Sequence, residues 1–270
     1  ISVFKGNQAG TIYPAAGTLT LDLGTTYYWA IDETNGVEEW PGEIWEFTVR
    51  SSRVIDDMES HNLVDREPYM IWLDSFSNPS NNTGAVVGHN GVTDYIETSI
   101  VRSGGQSLYY RYDNTSSPFY SEAEAHTYDI DGFEIPLDID MQWDASSAKP
   151  LAIDVWYRGT AGNSEEKLYI GLKDTVNPAV FIVKSAVDAN IASEEWQVFR
   201  VALSDFVGVD TNDIARIYLG VGDPVSPSVG GTGVLYFDDI ALWAPRCFPE
   251  ALSMAGDLTG DCIVDLDDLA

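Results

Sequence analysis

The oxygen-bearing side chains at the end of the chain are spaced as a metal would require. In GDLTGDCIVDLDDLA (256–270), Asp257, Thr259, Asp261, Asp265 and Asp268 fall at positions 1, 3, 5, 9 and 12 of a calcium loop, and Ile263 at position 7 would lend its carbonyl. Four carboxylates this close repel one another unless a cation lies between them. Few random acidic stretches keep this spacing. Alternating aromatic segments offer a second chemistry. In IDVWYRG (153–159), Ile153, Val155 and Tyr157 share one face of an extended strand, while Asp154, Trp156 and Arg158 share the other. In KLYIGLKD (167–174), Leu168, Ile170 and Leu172 oppose Tyr169 and Lys173. Trp156 and Tyr169 thus fall on the more polar faces, where with Tyr109 and Arg111 they are candidates for a platform on which a sugar ring stacks. The competing reading packs these rings under loops or against a neighbouring domain.

Catalysis finds little support. His61, His89 and His126 are scattered, and the chain has no HExxH, no GxSxG and no phosphate-cradling glycine loop. A glycosidase sets two carboxylates roughly 5 to 9.5 Å apart. Among 43 Asp and Glu residues no such pair can be singled out. The expectation is a non-catalytic protein.

Positioning these groups falls to short strands. TYYWAID (26–32), SLYYRYD (107–113), LAIDVWYRG (151–159), KLYIGLKD (167–174), WQVFRVAL (196–203), ARIYLGVGD (215–223) and VLYFDDIALW (234–243) are β-branched and aromatic, and most alternate in polarity. Gly, Pro, Asn and Ser clusters such as NPSNNTG (78–84), RSGGQS (102–107) and DPVSPSVGGTG (223–233) separate them. No amphipathic helix is expected before residue 250. The fold class is all-β, an antiparallel β-sandwich with one face of each strand turned to the core. Across 270 residues, 14 Lys and Arg face 43 Asp and Glu, a net charge of −29. Such a surface excludes nucleic acid as a partner, because phosphate backbones need clustered cations. No apolar run approaches the ~20 residues of a membrane span, so membrane insertion is not expected. With 44% hydrophobic residues the chain is no disordered acidic tail. The opening residues carry neither Met nor a basic, apolar leader, and the sequence is expected to be a mature or trimmed piece of something longer.

Three pieces follow along the chain, each with a resemblance. Residues 1–50, with TYYWAIDETNG, a Trp-Pro-Gly turn and IWEFTV, resemble the last strands of a fibronectin type III-like domain, too few for an independent core. Residues 54–245 open on VIDDMES and close on VLYFDDIALW, a pairing similar to the galactose-binding-like jelly rolls of extracellular bacterial proteins, which include many carbohydrate-binding modules. That resemblance implies a structural calcium held by Glu59 and one or both of Asp238 and Asp239, with carbonyls of the loop Ser103–Ser107 nearby; the alternative leaves these acids as solvated strand ends. Residues 247–270 resemble one repeat of a dockerin, the calcium module through which secreted bacterial proteins attach to cohesins. Thr259 in place of Asn or Asp, Cys262 in place of the turn Gly, and the presence of one repeat only depart from that pattern. Cys247 and Cys262, with 14 residues between them, would form a disulfide outside the cytoplasm, the alternative being two free thiols. Closing that loop is worth about 3 kcal/mol in the chain-entropy model.

Together these features lead us to expect an extracellular or cell-surface module that binds calcium and, as partner, a glycan or another surface protein. The alternative is a structural subunit that self-assembles by strand addition, the aromatic residues of 1–50 being covered by a neighbouring chain.

Overall fold

A computed structural model describes residues 25–49, 52–81, 83–128, 135–139, 143, 152–177, 181–186 and 189–243. The calcium loop expected at Asp257, Thr259, Asp261, Ile263, Asp265 and Asp268 lies outside the described residues, as does the expected Cys247–Cys262 bridge. The chain divides into two compact units, Ile1–Ser51 and Ser52–Ala270.

In the first unit, β1 (Thr26–Trp29) pairs antiparallel with β4 (Trp45–Thr48), and β2 (Glu33–Thr34) with β3 (Glu39–Trp40). The Asn-Gly turn signal acts between β2 and β3. Asn35 Oδ1 accepts from the amides of Val37 and Glu38, and Gly36 takes a φ of 88°, which only glycine adopts freely. Cross-strand aromatics hold β1 to β4, with Trp29 and Trp45 at 4.5 Å between ring centroids and Tyr27 stacked on Phe47 at 5.9 Å.

The second unit is a β-sandwich with jelly-roll winding. Its strands are β5 (Ser52–Asp56), β6 (Val86–Val87), β7 (Leu108–Asp113), β8 (Tyr120–His126), β9 (Ala152–Arg158), β10 (Leu168–Asp174), β11 (Ile182–Ser185), β12 (Gln197–Ala202), β13 (Ile214–Gly222) and β14 (Thr232–Trp243). One sheet runs β12-β9-β14-β7-β6 with β5 also on β14; the other runs β11-β10-β13-β8. From β7 onward the chain passes from sheet to sheet, only β10 and β11 being neighbours in one, which is the jelly-roll path. All described pairings are antiparallel. Each of the six second-unit segments expected as a strand is one, but β8, β6 and β11 were not foreseen. One turn of α-helix, α1 (Pro68–Ile71), and two 3-10 turns at Pro79–Asn81 and Leu203–Asp205 interrupt the strands, with Pro68 at the start of α1 where a missing N–H costs nothing.

The core follows from strand alternation. Leu108, Tyr110 and Tyr112 of β7, Ile153, Val155 and Tyr157 of β9, and Leu235 and Phe237 of β14 are buried from one side. Ala123 and Ala125 of β8, Leu168, Ile170 and Leu172 of β10, and Ile217, Leu219 and Val221 of β13 meet them from the other. Tyr110 spans the layers, donating its hydroxyl to the Leu219 carbonyl. One polar cluster is buried at the end of β5. Asp56 accepts from Trp72 Nε1 at 2.8 Å and from the Met58 amide at 2.8 Å, and its Oδ2 lies 3.0 Å from His61 Nε2. Burial pushes the Asp56 carboxyl up, but His61 and the two donors outweigh it and hold it below the ordinary carboxylate value.

Candidate functional site

The outer face of the four-stranded sheet brings carboxylates, cations and aromatic rings side by side. Strand β8 reads YSEAEAH, and its alternation turns Ser121, Ala123 and Ala125 inward, so Glu122, Glu124 and His126 point out. Register sets the neighbours. Glu122 pairs with Gly220, Glu124 with Tyr218 and His126 with Arg216, while Tyr169 pairs with Gly220, Gly171 with Tyr218 and Lys173 with Arg216. Glycine alternates with aromatic residues on this face, and it does so for space. A Cβ on Gly220 would lie 1.9 Å from Tyr169 Cζ, and one on Gly171 would lie 2.4 Å from Phe181 Cε2. The Tyr169 ring therefore lies flat over Gly220, and Phe181 folds over Gly171 to meet Tyr218 edge-on at 4.8 Å.

Electrostatics on this face is uneven. Burial raises the Glu122 carboxyl to about 7, Glu124 adding to the rise while the hydrogen bond from Tyr169 and the charge of Lys173 oppose it. Glu124 goes the other way. Burial pushes it up, but the hydrogen bond with His126 and the charge of Arg216 outweigh it and hold it low. Two acids on one strand, two residues apart, thus differ in charge near neutrality. Beside them is a hollow of about 70 Å3 lined by Asn81, Thr83, Glu122 and Glu124. A wider depression of about 320 Å3 is lined by Tyr128, Lys173, Asp174, Thr175, Ala215 and Arg216. Tyr128 stacks on the buried His126 ring and is itself 37% exposed, and Phe181 is half-buried.

The residues expected to form one sugar platform are on opposite sides of the sandwich. Trp156, Tyr109 and Arg111 belong to the outer face of the six-stranded sheet, whereas Tyr169 belongs to the four-stranded sheet and is fully buried. Parity along a strand fixes the face of that strand but not which sheet the strand joins, and Gly220 lets the Tyr169 ring lie down against the sheet. Trp156 is capped by Arg102, whose guanidinium carbon lies 3.7 Å from the ring centroid. Tyr109 packs edge-on between Tyr95 and Tyr236, at 5.7 and 6.0 Å, and Arg111 is exposed beside them. Glu122, Glu124, Tyr128, Phe181 and Arg216 were missed. The polar alternation of YSEAEAH was the available signal, masked because Ala and Glu are poor strand formers.

Glu59, Asp238 and Asp239 do converge on one loop, that of residues 102–106. Glu59 Oε1 accepts from the amides of Gly105 and Gln106 at 2.9 and 3.1 Å, and Asp238 Oδ2 from those of Arg102 and Ser103 at 2.9 and 3.3 Å. Asp239 takes the Ser103 hydroxyl and the Arg102 guanidinium. The loop presents amides to these acids where carbonyls were expected. Asp238 sits at a bulge in β14, between registers broken from Asp238 to Ala241, and Asp239 has a φ of 46°. Among the described residues no three His, Cys, Asp or Glu side chains are set to hold an ion. The donor set is nonetheless of the hard-oxygen kind that calcium takes, and fully buried Asp238 has no cationic partner among the described residues.

No family model matches the chain, and no curated protein matches it in sequence. Its structural neighbours include several carbohydrate-binding modules and an agarase. A family 11 module from Clostridium thermocellum, in complex with a β-1,3-1,4-mixed-linked tetrasaccharide, is 16% identical over 72% of this chain and 95% of that one, with a TM-score of 0.42. The CBM22-2 xylan-binding domain from Paenibacillus barcinonensis is 10% identical over 70% of this chain and 96% of that one, with a TM-score of 0.41. A family 30 module of a cellulosomal cellulase from Clostridium thermocellum is 11% identical over 60% of this chain and 92% of that one, with a TM-score of 0.38. Likenesses this loose fix neither a ligand nor a site in this chain.

Proposed function

We propose that the chain is a non-catalytic, extracellular glycan-binding module and that the sugar lies across the outer face of the four-stranded sheet. The observation that carries this reading is the composition of that face. Outward carboxylates and an amide stand beside the partly exposed rings of Tyr128 and Phe181, along two adjoining shallow depressions. Aromatic faces suit the CH-rich face of a pyranose, ionised Glu124 accepts hydroxyl protons, and Glu122, near half-protonated at neutrality, can donate or accept. A sheet held by paired strands loses little freedom on binding, so the cost of ordering the site is met in folding. A glycan array probed with the 270-residue chain tests the reading. Saturable binding to at least one glycan is expected, and a clean negative would remove it.

Calcium enters as a second proposal. Glu59, Asp238 and Asp239 would hold one ion, and Asp257, Thr259, Asp261, Ile263, Asp265 and Asp268 another. An ion at the first site ties β14 to the segment after β5 and supplies the cation that buried Asp238 lacks. At about 100 times its Kd, such a ligand stabilises the fold by about 2.7 kcal/mol, which for a domain near 200 residues is on the order of 5–10 °C in melting temperature. Chelation should lower the melting temperature by that amount in the whole chain, and Asp238→Asn should shrink the shift. An unchanged melting curve with chelator removes the sandwich ion. For the tail, calorimetric titration of the chelated chain should lose calcium heat on Asp261→Ala; equal heats would remove that loop.

A further inference from the structure

We infer that the wider depression, between Tyr128, Lys173 and Arg216, takes a sugar bearing an anionic substituent, a carboxylate or a sulfate. This rests on the glycan reading and gives it a ligand class. Cations are scarce in this chain. Acidic residues outnumber basic ones 43 to 14, so two cations lining one depression are a local departure from the composition. Lys173 feels the Glu122 carboxylate across the same face but does not come close enough to pair with it. Its ammonium lies 5.2 Å from the Phe181 ring centroid and 5.4 Å from that of Tyr218, and it forms no salt bridge among the described residues. Two rings hold a half-buried cation in place without neutralising it.

Its neighbours leave the positive charge largely unspent. Arg216, opposite Lys173 in the strand register, meets Glu124 through one nitrogen at 3.4 Å, so most of its five N–H donors are not engaged by that carboxylate. Asp174 lines the same depression, yet it is 2% exposed and both its oxygens accept backbone amides, from Asn177 and from Asp210. Its charge is turned into the loops instead of onto Lys173. A carboxylate or sulfate on a sugar ring would meet two cations, with Tyr128 offering a stacking surface at the edge.

The net charge of −29 adds a restriction. It repels dense polyanions before contact, so the favoured ligand is a mostly neutral glycan with isolated acidic units.

The test compares matched oligosaccharide pairs on an array and by calorimetry with the whole chain. Neutral xylo-oligosaccharide is set against the same backbone carrying one glucuronic acid, and neutral agaro-oligosaccharide against a sulfated galactan oligosaccharide. At least one acidic member should bind about tenfold or more tighter than its neutral match, and which pair shows it separates carboxylate from sulfate. Raising NaCl from 50 to 500 mM should reduce that ratio in the unaltered protein, and Lys173→Gln or Arg216→Gln should bring it near one. Neutral members binding as well as acidic ones, or a ratio indifferent to both salt and substitution, would overturn the inference while leaving the glycan reading standing. Binding to no glycan at all would remove both.

Discussion

Asp56→Ala is expected to destabilise the sandwich by about 3–5 kcal/mol, the range for breaking a buried polar group away from its partners. The side chain serves three donors. Its loss strands the indole N–H of fully buried Trp72 and the Met58 amide without acceptors, and leaves buried His61 without its carboxylate. The damage extends along the chain, because Met58 and His61 also present their carbonyls to Gln106 Nε2. Gln106 belongs to the loop that holds Glu59. Asp56→Ala should therefore both lower the denaturation midpoint and weaken any calcium dependence of melting. A loss below about 1 kcal/mol, where isolated surface substitutions fall, would show that the cluster is not the fastening argued for.

Glu122→Gln is expected to act in the opposite direction, stabilising the protein at pH 8. The Glu122 carboxyl rises from 4.5 to about 7, chiefly through burial. A group raised in this way binds its proton more tightly folded than unfolded. Its contribution is most favourable below pH 4.5 and is lost as pH climbs through 7, because the folded state must then bury a charge. The full shift corresponds to roughly 3 kcal/mol, and partial solvent access brings the expectation to about 2 kcal/mol. Glutamine keeps an acceptor for the Tyr169 hydroxyl and carries no charge. Between pH 5 and 8 the native protein should lose stability relative to the variant, and the difference between them isolates this residue from other titrating groups. Parallel curves across that range would contradict the burial argument. If Glu122 contacts the sugar, as proposed, glycan affinity should change with it.

Much of the sandwich was legible because β-branched and aromatic runs announce strands whatever their partners. ARIYLGVGD and VLYFDDIALW became β13 and β14 within a few residues of their expected limits. Strand β8 escaped notice because its inward residues are Ser and Ala, small enough to let the large side chains of the opposite sheet fill the layer, and so too weak a hydrophobic signal. The Asp-Asp motif was legible as a place but not as a geometry. It lies in a bulge that turns Asp239 toward Arg102 and Ser103, and no local sequence pattern specifies those partners. The candidate site was the least legible part, since it depends on four strands arriving side by side. Nothing in the sequence marks Gly171 and Gly220 as special, and only the register shows them as the floor under Phe181 and Tyr169.

The central claim is that glycan binds the four-stranded face and not the six-stranded one. The most direct measurement is the affinity of one array-positive oligosaccharide, by calorimetry, for four single variants of the whole chain with unchanged melting behaviour. Phe181→Ala and Tyr128→Ala remove the partly exposed rings beside the depressions, and each is predicted to weaken binding about tenfold or more, equivalent to roughly 1.4 kcal/mol. Trp156→Ala and Tyr109→Ala alter the opposite sheet, where Arg102 already covers the indole, and are predicted to leave the affinity within about twofold, a few tenths of a kcal/mol. Loss of binding in Trp156→Ala or Tyr109→Ala, with Phe181→Ala and Tyr128→Ala unaffected, would contradict the account.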